Sequence, residues 1–203
     1  MNFKIDWNLP SIEKVKALLI VAHPDDETIF CGGTMITYPE WEWTVISMTN
    51  YDRSYEFKEA IESFKRLGVN IISYKILGQK DIPQNRKATK EERLAWIETI
   101  KAQNFSPDIT FTHNEMGEYG HSAHILLNEL VYELSLNNVW EFIYPKSSQS
   151  YKKNVNEVHL NKKILEEKRL TFCYYKSQSY IWKIFKDLML YEFKTGPEIF
   201  TSD

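Results

Sequence analysis

Apolar runs of four to eight residues recur along this chain, and segments with helical spacing separate them. The runs are Val15–Ala22, Thr44–Met48, Ile71–Leu77, Ile109–Thr112 and Val139–Tyr144. Between them fall Asp26–Thr37, Ser54–Leu67, Lys90–Gln103 and His121–Leu136. A short run that is apolar throughout suits a strand buried on both faces. Such strands in alternation with helices predict an α/β fold, a three-layer α/β/α domain with a mostly parallel, Rossmann-like sheet. At 203 residues the expectation is a single domain, 1–203. Beyond Pro145, a Ser/Lys/Asn-rich loop precedes expected helices at Lys162–Tyr175 and Tyr180–Leu190, with Tyr191–Phe193 as a short final strand.

Ligands of such sheets bind outside the carboxyl ends of the strands. Two clusters of chemically useful residues lie at such ends. His23-Pro24-Asp25-Asp26-Glu27 follows the first run, and Tyr119-Gly120-His121-Ser122-Ala123-His124 lies beyond the fourth. Three of the chain's five histidines belong to these clusters, and His113 sits just upstream of the second. Pro24 stiffens the turn that carries His23 and Asp26, and His121 and His124 at i and i+3 share a helix face. One His and one carboxylate, joined by one imidazole of the distant His-x-x-His, give three ligands and an open fourth position. That is the pattern of a catalytic zinc site. Spacing alone does not decide which of His121 and His124 is the ligand.

The same residues carry a family resemblance. Ala22–Glu27 resembles the Ala-His-Pro-Asp-Asp-Glu signature of the PIG-L/LmbE-like N-deacetylases, and Tyr119–His124 resembles their Tyr-Gly-His-x-x-His motif. Gly32-Gly33, Arg53-x-x-Glu56 with Ala60 and Leu67-Gly68, Pro107-Asp108 and Ser177-Gln178 extend the likeness over most of the chain. The resemblance implies a zinc enzyme that removes acetyl groups from amino sugars or their conjugates. It implies His23, Asp26 and His124 as metal ligands, Asp25 as the general base, and His121 as a protonated imidazole facing the oxyanion, with Tyr119 beside it. It also implies that Arg53 contacts the sugar or its substituents. Two positions depart from the pattern. Ser122-Ala123 stands where many members have Pro-Asp, so a carboxylate able to orient an imidazole is absent there, and Tyr175 stands where several have His.

For the remaining candidates the residues leave alternatives open. Arg53 and Glu56 read equally as substrate contacts or as a local ion pair. His113 and Asn114 read as substrate contacts or packing. Glu27 reads as a helix-start acid favoured by the dipole. Fe2+ and Co2+ suit the same ligands as Zn2+. The rival functions are an amide hydrolase of the same mechanism acting on a non-sugar substrate, and a noncatalytic sugar-binding protein.

A net charge of −3 gives no global basic field for nucleic acid. The stretch from Pro145 to Arg169, with seven Lys or Arg against three Glu, reads as a solvated face in preference to a site for a phosphorylated ligand. Neither a dinucleotide nor a P-loop glycine fingerprint is present. Cys31 and Cys173 are too few for a disulfide framework. No run approaches the ~20 apolar residues that span a bilayer, and no secretory pattern opens the chain. The expectation is a cytoplasmic protein with a small-molecule glycoconjugate substrate; oligomeric state is open.

Overall fold

The computed structural model describes residues 14–144, 154–178 and 197–202. Their order is β1 (Lys16–Val21), α1 (Asp26–Thr37), β2 (Glu42–Thr49), α2 (Ser54–Arg66), β3 (Ile71–Gln79), α3 (Lys90–Lys101), β4 (Ile109–Thr112), the kinked turn α4 (Gly117–Gly120), α5 (Ser122–Glu133), β5 (Val139–Phe142), β6 (Asn154–His159), α6 (Lys162–Phe172) and β7 (Pro197–Ser202). The sheet runs β3-β2-β1-β4-β5-β7-β6. β1 to β5 are mutually parallel. β7 is antiparallel to both of its neighbours.

Alternate residues of each central strand feed two separate cores. Ala17, Leu19 and Val21 face a layer built from Phe30 and Met35 of α1, Phe57 and Phe64 of α2, and Leu165 and Phe172 of α6. Leu18, Ile20 and Ala22 face Trp96, Ile97 and Ile100 of α3 and Leu126, Leu127 and Leu130 of α5. β1 therefore reads as a continuous apolar run because both of its faces lose contact with water. The arrangement is the expected three-layer α/β/α domain.

After Pro145 the expected helix from Lys162 is present and ends at Phe172, while other parts of the reading are corrected. β6, within the stretch expected as a Ser/Lys/Asn-rich loop, pairs antiparallel with β7 at the edge of the sheet. Lys168, counted in the basic solvated stretch, is fully buried, and its Nζ lies 2.7 Å from Glu198 Oε1. Glu198 also accepts from the backbone N–H groups of Gly33 and Thr34 in α1, at 2.8 and 2.6 Å. A Cβ on Gly33 would lie 2.4 Å from Leu160 Cδ1, so only glycine lets α1 approach this edge so closely. The expected helix Tyr180–Leu190 and strand Tyr191–Phe193 lie outside the described residues. No helix among the described residues is long and apolar enough to cross a membrane.

The strand order reverses between β1 and β4: β2 and β3 extend to one side of β1, while β4 and β5 extend to the other. A crevice opens beyond the carboxyl ends of such a pair. His23 follows β1 there, and His113 follows β4.

Candidate metal centre

Three side-chain atoms converge in that crevice. His23 Nδ1 lies 3.2 Å from His124 Nε2 and 3.3 Å from Asp26 Oδ2, and His124 Nε2 lies 3.4 Å from Asp26 Oδ2. Ligand atoms ~2.0–2.1 Å from a tetrahedral zinc ion sit about 3.3–3.4 Å apart, so this triangle fits one face of such a site. The wider surroundings offer two overlapping sets of ligand atoms, His23–His121–His124 and Asp26–His113–His124, each within 4.8 Å. His113 is the weaker member, because its Nε2 already accepts the Ala22 N–H at 3.0 Å.

Local backbone geometry aims these groups. Asp25 adopts φ 127°, ψ −33°, a strained conformation for a residue with a side chain. Its N–H donates to Glu27 Oε2 at 2.9 Å. Glu27 lies in the first turn of α1, as the sequence reading has it, but does more than favour the dipole. It is fully buried and accepts the Tyr175 hydroxyl at 2.7 Å and the Thr28 hydroxyl at 2.5 Å. Tyr175, at the position that departs from the family pattern, therefore helps to brace the first motif from α6's end. Asp26 also accepts the His23 backbone N–H at 2.9 Å, which fixes its carboxylate over the turn.

Two carboxylates that sequence reading missed stand behind the imidazoles. Asp81 Oδ1 lies 3.0 Å from His23 Nε2, and Glu118 Oε2 lies 2.6 Å from His124 Nδ1. Glu118 occupies φ 56°, ψ −61°, and is 2% exposed. Nothing in local spacing marks Asp81, whose partner is 58 residues away. Glu118 directly precedes the second motif, and a buried acid beside two buried histidines is the signal that would have found it.

Charge in the crevice is tightly arranged. Burial pushes Asp25 up, the neighbouring Asp26 charge adds to this and Arg53 opposes it, leaving Asp25 at about 8. Burial would also raise Glu118, but His113 and His124 hold it down at about 2. Burial works against protonated His23 and His124, yet Asp26 and the outer carboxylates lift both above the ordinary value. Protons therefore compete with a cation for this triangle. His121 behaves differently: burial, His124 and His23 push it down to about 4. That value favours the neutral ring in the metal-free crevice, where the resemblance implies a protonated imidazole. Its Nδ1 accepts the Ala123 N–H at 3.3 Å as the cap of α5, so the ring proton sits on Nε2.

The other expected site residues are distributed unevenly. Tyr119 sits at the rim, 36% exposed, its ring edge-on to His121 and His124 with centroids 6.1 and 5.6 Å away. Arg53 Nη1 donates to the Pro24 carbonyl at 2.9 Å and to Asp25 at 3.1 Å, so it reaches the first motif. The Arg53–Glu56 ion pair, one of the two readings left open, is not formed. Glu56 instead accepts the Ser177 N–H and hydroxyl, at 2.8 and 2.6 Å. Of the two readings of His113 and Asn114, substrate contact or packing, their burial favours packing. They are 0% and 3% exposed; His113 bonds Glu118, and Asn114 Nδ2 donates to the Phe142 carbonyl at 2.7 Å. Both are core polar groups whose hydrogen bonds are satisfied internally.

Comparison with known proteins agrees with this geometry. A family model described as PIG-L, GlcNAc-PI de-N-acetylase, matches residues 18–135, more than half of the chain and both motifs. An uncharacterized protein of Acanthamoeba polyphaga mimivirus is 28% identical over 149 residues, covering 66% of this chain and 64% of the viral protein. The N-acetylglucosaminyl-phosphatidylinositol de-N-acetylase of Bos taurus is 29% identical over 125 residues, covering 57% of this chain and 49% of that protein. The chain thus spans between about half and two thirds of the length of these relatives. Among solved structures, the N,N'-diacetylchitobiose deacetylase of Pyrococcus horikoshii shares the fold with a TM-score of 0.59 at 20% identity, over 94% of this chain and 82% of that one. With its His/Asp cluster at the switch point of the sheet and a family match running from β1 through α5, the chain belongs to the PIG-L/LmbE-like family of zinc-dependent N-deacetylases.

Proposed function

We propose that this protein is a metal-dependent N-deacetylase that hydrolyses the acetamide of an N-acetylated amino sugar or sugar conjugate and releases acetate. The observation that carries the proposal is the 3.2–3.4 Å triangle of His23 Nδ1, Asp26 Oδ2 and His124 Nε2, with Asp25 next to it in the chain. When bound by these three residues, zinc supplies Lewis acidity and lowers the pKa of a coordinated water.

The chain's own groups then divide the work. Asp25 takes a proton from the attacking water as its oxygen adds to the acetyl carbon. It returns that proton to the amide nitrogen as the C–N bond breaks, releasing acetate and the free amine. A base at about 8 in the metal-free crevice is protonated at neutral pH, and a neighbouring cation shifts it toward the ionised form that the reaction needs. The His121 Nε2–H donates to the oxyanion of the tetrahedral intermediate, as a neutral donor. Tyr119 at the rim adds a hydroxyl on the same side. Arg53 holds Asp25 in place.

The sugar assignment draws on the family description and on the names of the bovine and archaeal relatives. Its test is acetate release by zinc-loaded protein from N-acetylglucosamine, a nucleotide-linked form and a lipid-linked form. Release from at least one, abolished by a chelator, is the expected result. Release only from non-sugar amides would overturn the substrate while leaving the chemistry standing. No release from any acetamide would favour the noncatalytic reading.

A further inference from the structure

The two histidines of the triangle present different nitrogens to its centre, Nδ1 from His23 and Nε2 from His124. In a neutral imidazole one nitrogen carries the proton and the other a lone pair, and the partner of the protonated nitrogen decides which is which. The far side of each ring answers that question. His23 Nε2 faces Asp81 Oδ1 at 3.0 Å, and His124 Nδ1 faces Glu118 Oε2 at 2.6 Å. An ionised carboxylate only accepts, so the proton of His23 belongs on Nε2 and that of His124 on Nδ1. Three lone pairs then converge with no proton between them, an arrangement that is favourable only around a cation.

We propose that Asp81 and Glu118 are positioning residues that hold the two imidazoles in opposite tautomers, and so set the metal affinity of the site. The inference rests on the metal reading given under Proposed function and extends it to residues outside the triangle.

Each carboxylate is itself fixed. Asp81 Oδ1 also accepts the Ile82 N–H at 2.8 Å, which locks the side chain against its own loop. Glu118 Oε1 accepts the Asn114 N–H at 2.9 Å. Its Oε2 is shared with His113 Nδ1 at 3.0 Å. His113 must be the donor there, since its Nε2 accepts the Ala22 N–H. Glu118 thereby receives two imidazole N–H groups on one oxygen, which demands the ionised form. The residue between His121 and His124 that could have supplied a carboxylate is Ala123, and the orienting acids come instead from the loop after β3 and from the strained turn before α5.

The test is zinc affinity of wild-type protein, Glu118→Gln and Asp81→Asn, measured by competition with a chromophoric chelator, together with imidazole 15N spectra of the zinc-loaded wild type. Loss of such an outer partner typically weakens binding about 10–100-fold, and that loss is expected in each variant with circular dichroism unchanged. The spectra should show His23 metallated at Nδ1 and His124 at Nε2. Affinities within about twofold of wild type, or coordination through the same ring nitrogen in both histidines, overturns the inference. Should Glu118→Gln fail to fold, the half-exposed Asp81 and the wild-type spectra still decide. A wild-type protein that takes up no zinc sinks the metal reading as well, whereas tight zinc binding with unaffected variants sinks only this inference.

Discussion

Arg53 Nη1 lies 3.1 Å from Asp25 Oδ2 and 2.9 Å from the Pro24 carbonyl, so one guanidinium grips both the side chain and the backbone of the strained first turn. A cation so placed lowers the pKa of the carboxylate that must be ionised to act as base. Arg53→Ala should therefore move the acidic limb of the kcat/KM–pH profile to higher pH and lower kcat at neutral pH. A pure rise in KM with an unshifted profile would return Arg53 to the simple substrate contact implied by family resemblance.

Asp25→Asn should keep its zinc and lose about 10²–10⁴ in turnover, the usual contribution of general acid–base catalysis. Near-normal turnover would move proton transfer to another group, and loss of zinc would make Asp25 a ligand. Metal-free protein gives a second readout. Asp25 titrates at about 8 in the fold but near ~4 when unfolded, so the folded state binds the extra proton and stability falls as pH rises between those values. Metal-free Asp25→Asn should melt above wild type at about pH 8, and the gap should close toward about pH 4.

His121 and His124 share a motif but not a task. His124→Ala should lose bound zinc by elemental analysis. His121→Ala should retain it while turnover falls by roughly 10²–10³, the scale of one lost oxyanion donor. Zinc lost from His121→Ala and kept by His124→Ala would exchange the two roles. Because His121 titrates at about 4, its ring stays neutral through the working range, and its protonation should contribute no limb near pH 6 or 7.

Gly33→Ala should destabilise the protein by ~1–3 kcal/mol, the range for overpacking a filled interior. The new methyl would lie 2.4 Å from Leu160 Cδ1 and 3.0 Å from Glu198 Oε1. Adding Leu160→Ala should recover part of the loss in a thermal melt. Undiminished stability of the single mutant would mean that α1 can slide away from the edge.

The central architecture was legible because burial on both faces leaves an unbroken apolar signature. Ile109–Thr112 was read to the residue, and β1, β2, β3 and the helices between them within a few residues. β6 was not legible. Asn154–His159 places Val155 and Val158 out of strict alternation among polar residues, and Val155 is half exposed. Lys168 misled for the opposite reason: composition counts a lysine as solvated, and only the contact with Glu198, 30 residues later, explains its burial. In the crevice, the motifs identified the residues facing inward, because those follow directly from chain spacing. Asp81 and Tyr175 act across 58 and 148 residues, and pairings of that range leave no local pattern.

Glu198 joins residues separated by 165 positions, and its strand lies between β5 and β6, not at the rim. On the ribosome, the helix bearing His23's motif must wait, its Gly33 and Thr34 amides without their acid partner, until about 165 further residues have been made. Closure of the sheet is thus a late event of long sequence separation, which slows folding and leaves an unpaired β5 edge exposed in the interim. The position of one strand therefore sets how long the β5 edge stays open during synthesis.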